Sequence, residues 1–166
     1  MEIEKDKVIV YVGNFDTPNG NAAGKRVFEN AKLFANLGYY VFLIGKSKGI
    51  QDQIELNSRI KYIPFPKLNR LNHRAYFQFT KSFIDGLPVV PKCIISYGTP
   101  STSLFSLKLL KFCRNKGIKS VADSVDWLFT DSGQILFRIG KNIDMSIRRN
   151  MVNKKMDGAI VISEYL

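Results

Sequence analysis

The stretch VIVYVGNFDTPNGNAAGKRVFENAKLFANLGYYVFLIG, residues 8–45, decides the fold. It opens on VIVYVG (8–13), a continuous apolar run rich in β-branched residues, as a strand buried on both faces requires. Ala23, Val27, Ala31, Phe34 and Leu37 then recur at spacings of three and four, the stripe of a helix that Gly38 terminates. YYVFLIG (39–45) is a second buried strand. Strand, glycine-rich loop, helix and strand make a βαβ unit, which requires a parallel neighbour strand and a right-handed crossover.

The rest of the chain repeats the alternation. RIKYIPF (59–65) reads as a short third strand ended by Pro64 and Pro66. Residues 67–87 are harder to place; YFQFTKSFI is aromatic and compatible with a helix but poorly patterned. CIISYG (93–98) is a fourth strand, followed by a helix from about Ser101 to Lys116 that Gly117 caps. KSVADSV (119–125) is a fifth strand, a long helix covers 133–155 and GAIVIS (158–163) is a sixth. No internal repeat or linker interrupts the series. The expected fold is α/β: a Rossmann-like, doubly wound, mostly parallel sheet of about six strands with helices on both faces, forming one domain over 1–166. In such a sheet ligands bind at the carboxyl ends of the strands, where the winding direction reverses.

Composition bounds the function. The chain has 166 residues, 45% apolar, with a formal charge of +11. That charge favours an acidic partner, whether nucleic acid, an anionic membrane surface or a phosphorylated molecule. No helix-turn-helix, RNP-type or zinc pattern accompanies it, so a nucleic-acid partner is not expected. The apolar runs fall well short of the roughly 20 residues of a membrane-spanning helix. No signal-like segment follows the charged start MEIEKDK, so cytoplasmic residence is the default. Cys93 and Cys113 lack a C-x-x-C spacing or companion histidines and read as reduced structural thiols, with no metal site.

The loop after the first strand lies at the ligand edge. Gly13, Gly20 and Gly24 permit positive φ and close approach of backbone to a ligand. A helix starting near Asn21 presents free N–H groups to an anion, and Lys25 and Arg26 add charge. The spacing matches neither G-x-G-x-x-G nor G-K-[ST], since Gly24-Lys25 is followed by Arg26. The loop is therefore either a generic anion-binding loop or a surface turn.

Three segments, in order, resemble the N-terminal half of family 4 glycosyltransferases, the retaining enzymes of GT-B architecture. PNGNAAGKRVFENAKLFANLGYYVFLIG (18–45) is similar to the family's opening pattern, with Gly20-Asn21 in place of its Gly-Gly pair. IISYGTPSTSL (94–104) is similar to its strand and small-residue loop, and KKMDGAIVISEYL (154–166) to the strand that leads into the second domain. The family's usual His-Asp pair is Val125-Asp126 here; some branches acting on bacterial surface polysaccharides have an acidic-x-x-Asp pattern, which Asp123 and Asp126 match.

The resemblance implies an acceptor-binding N-terminal domain, with the donor domain absent from the chain. No cofactor is then expected on this domain alone, and transfer is not expected without the other half. The whole enzyme would use a nucleotide-sugar donor and no metal. Its acceptor would be a glycan or lipid-linked sugar in bacterial surface polysaccharide assembly, at the inner face of the cytoplasmic membrane. A stand-alone Rossmann-like module binding a nucleotide or phosphorylated ligand is the alternative. The chain's end on a strand, GAIVISEYL, with no closing helix favours the half-enzyme.

The candidate residues follow from these positions. Asp123 and Asp126 could orient acceptor hydroxyls or assist a proton transfer, or else cap a helix. Gly20, Asn21 and Lys25 of the opening loop, Tyr97, Gly98 and Thr99 after the fourth strand, and Ser163 and Glu164 after the sixth are candidates for lining the cleft. His73, the only histidine, reads as a surface or packing residue. Tyr76, Phe77, Phe79 and Phe83 are core, or else a wall for a lipid-linked acceptor. In the 133–155 helix, Leu136, Ile139, Ile143, Ile147 and Met151 form the expected buried stripe after a capping box at Asp131–Gln134. Arg138, Lys141, Arg148, Arg149 and Lys155 form the expected basic face, suited to an anionic bilayer.

Overall fold

A computed structural model describes residues 7–17, 20–46, 52–67, 72–98, 102–124 and 135–161. Among these residues seven strands form one sheet: β1 (Val8–Gly13), β2 (Tyr40–Gly45), β3 (Ile54–Asn57), β4 (Ile60–Pro64), β5 (Cys93–Tyr97), β6 (Lys119–Ser124) and β7 (Gly158–Val161). Their order across the sheet is β3-β4-β2-β1-β5-β6-β7, and every pairing is parallel except β3 with β4. Helices α1 (Ala22–Asn36), α2 (His73–Asp85), α3 (Ser103–Lys116) and α4 (Ile135–Ile147) connect them. This is the Rossmann-like order, with β1 at the centre and β3 added at one edge.

The apolar run of β1 is continuous because both faces of that strand are covered. Val8, Val10 and Val12 enter one cluster with Phe42, Ile44, Ile94, Phe105, Leu109 and residues of α2 and α3. Ile9 and Tyr11 enter the opposite cluster with Val27 and Ala31 of α1, Leu43, Ile60 and Tyr62. Each such side chain taken fully out of water contributes about 1.5–3 kcal/mol. Tyr76, Phe77, Phe79 and Phe83 on α2 belong to the first cluster or pack on it, Phe83 edge-on to Phe42 and Tyr76 edge-on to Phe65. Packing into the core, not an acceptor wall, is their place. His73 is half-buried at the first position of α2.

Two expectations are corrected. The strand β3 was absent from the predicted series: Ile54-Glu55-Leu56-Asn57 is short, polar and an edge element, and its alternation becomes legible only once it pairs antiparallel with β4. The long last helix is not one regular α-helix with an inward apolar stripe. It is α4, then a π-helical turn over Arg148–Val152 and a 3-10 turn over Asn153–Lys155. Ile139 is 52% exposed, Ile143 55% and Met151 48%, and Ile135 at the start is 72% exposed. The inward-facing contacts of α4 are polar instead, as the site shows. Leu136 and the Asp131–Gln134 capping box lie outside what is described.

Both cysteines are free. Burial pushes the Cys93 thiol up to about 11 and the Cys113 thiol up to about 12, as expected of structural rather than reactive thiols.

Candidate functional site

The winding reverses between β1 and β5. From β1 the chain passes through α1 to β2 on one side, and after β4 it returns through α2 to β5 on the other. Gly13 and Tyr97 are paired where these two central strands end. A Cβ on Gly13 would overlap the Tyr97 carbonyl, and the amide of Asn14 donates to that same oxygen at 3.0 Å. Gly98 then turns the chain away with φ +59°, a left-handed conformation natural to glycine. The floor of the crevice is thus backbone drawn tight between two strands.

The loop from Gly13 to Val27 is closed largely on itself. The Phe15 ring is fully buried and meets Tyr11, Tyr62 and Tyr97 edge-on. Asn21 caps α1: its Oδ1 accepts from the Gly24 amide at 2.8 Å, while its Nδ2 donates to Asp16 Oδ2 at 2.6 Å. Gly20 donates to the Thr17 carbonyl at 2.8 Å. None of Gly13, Gly20 and Gly24 has positive φ, which corrects the expectation for them. They are glycines because Tyr97, Asp16 and the Thr17 carbonyl lie where a Cβ would be, so their close approach is to protein. Lys25 is exposed on the first turn of α1.

Among the described residues of this loop and helix, Arg26 reaches the crevice, and the sequence pattern did not mark it as a candidate. Its Nη2 donates to Asp123 Oδ1 at 2.8 Å, with the Asp123 side chain wholly buried at the end of β6. The Tyr11 hydroxyl donates to the other carboxylate oxygen, and Asn30 Nδ2 donates to the Tyr11 oxygen at 3.2 Å. Burial raises the Tyr11 pKa, and the neighbouring Asp123 charge raises it further, so the phenol stays a donor. Burial is the largest influence and opposes the Arg26 charge, but the bond to Asp123 and the fields of Asp123, Tyr11 and Tyr97 together outweigh it and its pKa rises. A general base must come within about 2.6–3.2 Å of the proton it takes. Asp123, 1% exposed and bonded on both oxygens, is placed to hold Arg26 and Tyr11 rather than to meet a substrate.

The polar side of α4 completes the edge. Asp144 Oδ1 accepts from both the amide and the hydroxyl of Ser103, each at 2.8 Å. It thereby caps α3, whose own N-cap residue Thr102 makes no side-chain cap bond. One turn on, Arg148 is half-buried, its Nη1 3.9 Å from the Cβ position of Gly98. Burial lowers the Arg148 pKa, while Asp144, Asp123 and Tyr97 act in the opposite direction. Nearby, Asn153 Nδ2 donates to Ser124 Oγ at 3.2 Å, tying the 3-10 turn to the end of β6.

Of the predicted site residues, Asp123, Tyr97 and Gly98 share this crevice, with Gly20 and Asn21 behind them as loop structure and Lys25 outside on α1. Asp126, Thr99, Ser163 and Glu164 lie outside the described residues. Arg26 and Arg148 were missed as site residues, though their charge was visible. Nothing in the sequence says which basic residue of GKR, or which arginine of IRRN, turns inward.

No family model and no curated protein sequence matches the chain. Among solved structures, a UGT transferase from Siraitia grosvenorii in complex with UDP is similar at a TM-score of 0.45 and 14% identity. The match covers 70% of this chain and 23% of the transferase, so the chain spans under a quarter of that protein's length. A protein from Burkholderia cenocepacia provisionally assigned as an epimerase is similar at a TM-score of 0.37 and 8% identity, over 96% of this chain and 76% of its own. The Rossmann-like assignment stands on strand order and direction, independently of both.

Proposed function

We propose that this chain is the acceptor-side, N-terminal domain of a retaining, nucleotide-sugar-dependent glycosyltransferase of family 4 type, acting in bacterial surface polysaccharide assembly. The observation that carries the reading is where the resembling segments fall. The first, 18–45, covers α1 and β2 and supplies Arg26, and the second, 94–104, ends β5 and supplies Tyr97 and Gly98, so the two meet at the switch point where Arg26 holds Asp123 beside Tyr97. The loop carries no nucleotide fingerprint, and its glycines are spent on internal packing, which suits a domain that receives an acceptor and leaves the nucleotide to a second domain. In the whole enzyme no metal is used. Asp123 positions Arg26, and Asp126 is the carboxylate left for contact with an acceptor hydroxyl, together with Tyr97, Gly98, Thr99, Ser163 and Glu164.

The same reading places the protein in the cytoplasm, at the inner face of the membrane. Among the described residues no helix is long and apolar enough to cross a bilayer. The exposed Ile135, Ile139 and Ile143, close along α4 to Arg138 and Lys141, suit shallow insertion among anionic headgroups. The second reading, a nucleotide- or phosphate-binding module without catalysis, draws on the full engagement of Asp123.

Calorimetric titration separates the two. The chain is expected to bind a short-chain lipid-linked sugar more tightly than free UDP- or GDP-sugars. Binding of a nucleotide-sugar with no response to the acceptor would establish the module instead, and silence from both would sink the two readings together.

A further inference from the structure

Arg148 differs from the other charged groups at the carboxyl edge. Asp144 directs Oδ1 to Ser103, and Asp123 is bonded on both oxygens by Arg26 and Tyr11. Among the described residues no carboxylate or carbonyl lies within ion-pair or hydrogen-bond distance of the Arg148 guanidinium, so Asp144 and Asp123 act on it only through their field. It is nevertheless half-buried, held beside the Gly98 turn by a π-helical segment, a geometry frequent at functional sites. Among the described residues, the buried side-chain atoms without a hydrogen-bond partner include Arg26 Nε and the Thr102 hydroxyl next to the capped Ser103. Arg26 and Arg148 come from separate helical segments, and both sense Tyr97.

Desolvating a guanidinium with five donors is costly unless an acceptor arrives. Guanidinia are matched to oxyanions through paired N–H donors. A planar carboxylate can satisfy one such fork. A phosphate, with three terminal oxygens in a tetrahedron, can serve donors arriving from two helices at once.

We propose that Arg148 and the Nε edge of Arg26 form an oxyanion seat over the Gly98 turn, beside Tyr97, that takes a phosphate group of the molecule this crevice binds. The seat rests on the reading of the crevice as the acceptor-side site and names phosphate as the feature that site recognises.

The test is an NMR titration of the whole chain with inorganic phosphate, pyrophosphate and acetate, at ionic strength held constant with sodium chloride. Phosphate or pyrophosphate is expected to shift the Gly98 amide and the Arg148 Nε–H saturably, with a Kd of about 1 mM or tighter. Arg148→Gln should weaken that binding about tenfold or more, with the Ser103 amide unmoved as proof that the Asp144 cap persists. Arg149→Gln on the neighbouring, exposed position should leave the Kd unchanged. Linear shifts that chloride reproduces, acetate binding as tightly as phosphate, or an unchanged Kd in Arg148→Gln would each overturn the seat. If that variant does not fold, the wild-type Arg148 Nε–H resonance decides alone. The titration requires neither sugar nor a second domain. A negative result removes the seat without touching acceptor binding in the calorimetric experiment. Saturable phosphate binding beside an acceptor-silent calorimeter removes the transferase reading and keeps the seat.

Discussion

At the scale of single residues, Arg26 and Asp123 form the interaction most sensitive to change. The carboxylate is buried and its counter-charge is three-quarters so. Removing the arginine leaves an ion in a low-dielectric site where, among the described residues, the Tyr11 hydroxyl is the remaining hydrogen-bond donor to it. Arg26→Ala is expected to cost about 2–4 kcal/mol, somewhat below a fully buried pair because the guanidinium keeps some water. A urea denaturation midpoint measures it, and a loss below the level of an exposed pair, about 0.5 kcal/mol, would contradict this account. Gly13→Ala is a steric counterpart: the new methyl has to displace the Tyr97 carbonyl, hence β5 itself. A destabilisation of about 3 kcal/mol is expected, with loss of protection at the Asn14 amide in hydrogen exchange. A glycine at 13 was easy to read as a strand end. Its real constraint, another strand's backbone in van der Waals contact, has no local signature.

At the scale of elements, β6 and β7 are joined by Asp157. Its Oδ2 accepts from the Ser120 amide at 2.9 Å and from the Ser120 hydroxyl at 3.0 Å, and its Oδ1 from Lys119 Nζ at 3.0 Å. The Ser120 amide bond, then those of Lys119 and the Ser120 hydroxyl, hold its pKa down to about 2. The folded value lies below the unfolded one, so the contribution is complete above the ordinary carboxylate range near pH 4 and fades as pH falls from about 4 to 2. Wild type and Asp157→Asn should therefore differ in urea midpoint at pH 6 and converge towards pH 2. A gap that stays constant across that range would remove the titration as its cause. The helix α4 shows the limit of periodicity. Its three-and-four spacing is real, yet the helix lies at the sheet's carboxyl edge against α3, where Ser103 and Gly98 call for polar neighbours. Asp144 and Arg148 therefore turn inward, and Ile135, Ile139 and Ile143 turn out.

At the scale of the whole molecule, the proposed membrane contact draws on that outward stripe and on the +11 charge. Apolar insertion and attraction to anionic lipid reinforce each other, and each basic residue near the surface adds about 1 kcal/mol. The chain is expected to sediment with phosphatidylglycerol vesicles, not with phosphatidylcholine ones, and to be released by 0.5 M salt, a concentration well above the roughly 0.15 M at which surface charges are already partly screened. Replacing Ile135, Ile139 and Ile143 together by Ser should abolish sedimentation without lowering the urea midpoint, because those side chains add little to the core. Unchanged sedimentation of that variant would leave charge as the whole cause.

The sequence by itself determined the class of fold. The runs at 8–13 and 39–45 are apolar throughout and 93–98 is so except for Ser96, and only a strand covered on both faces buries such a run, so a parallel sheet with helices on each side follows from local pattern alone. The same logic placed Tyr97, Gly98 and Asp123 at strand ends, hence at one edge. Tertiary structure alone decided the rest: that Asp123 is sealed beneath Arg26 and Tyr11, that the loop glycines answer to protein atoms, and that α4 turns its polar side inward. Those outcomes depend on contacts between residues as far apart as Tyr11 and Asp123. Hydrophobic period tells a residue's side of its own element, whereas what stands opposite that side is set only when the elements meet.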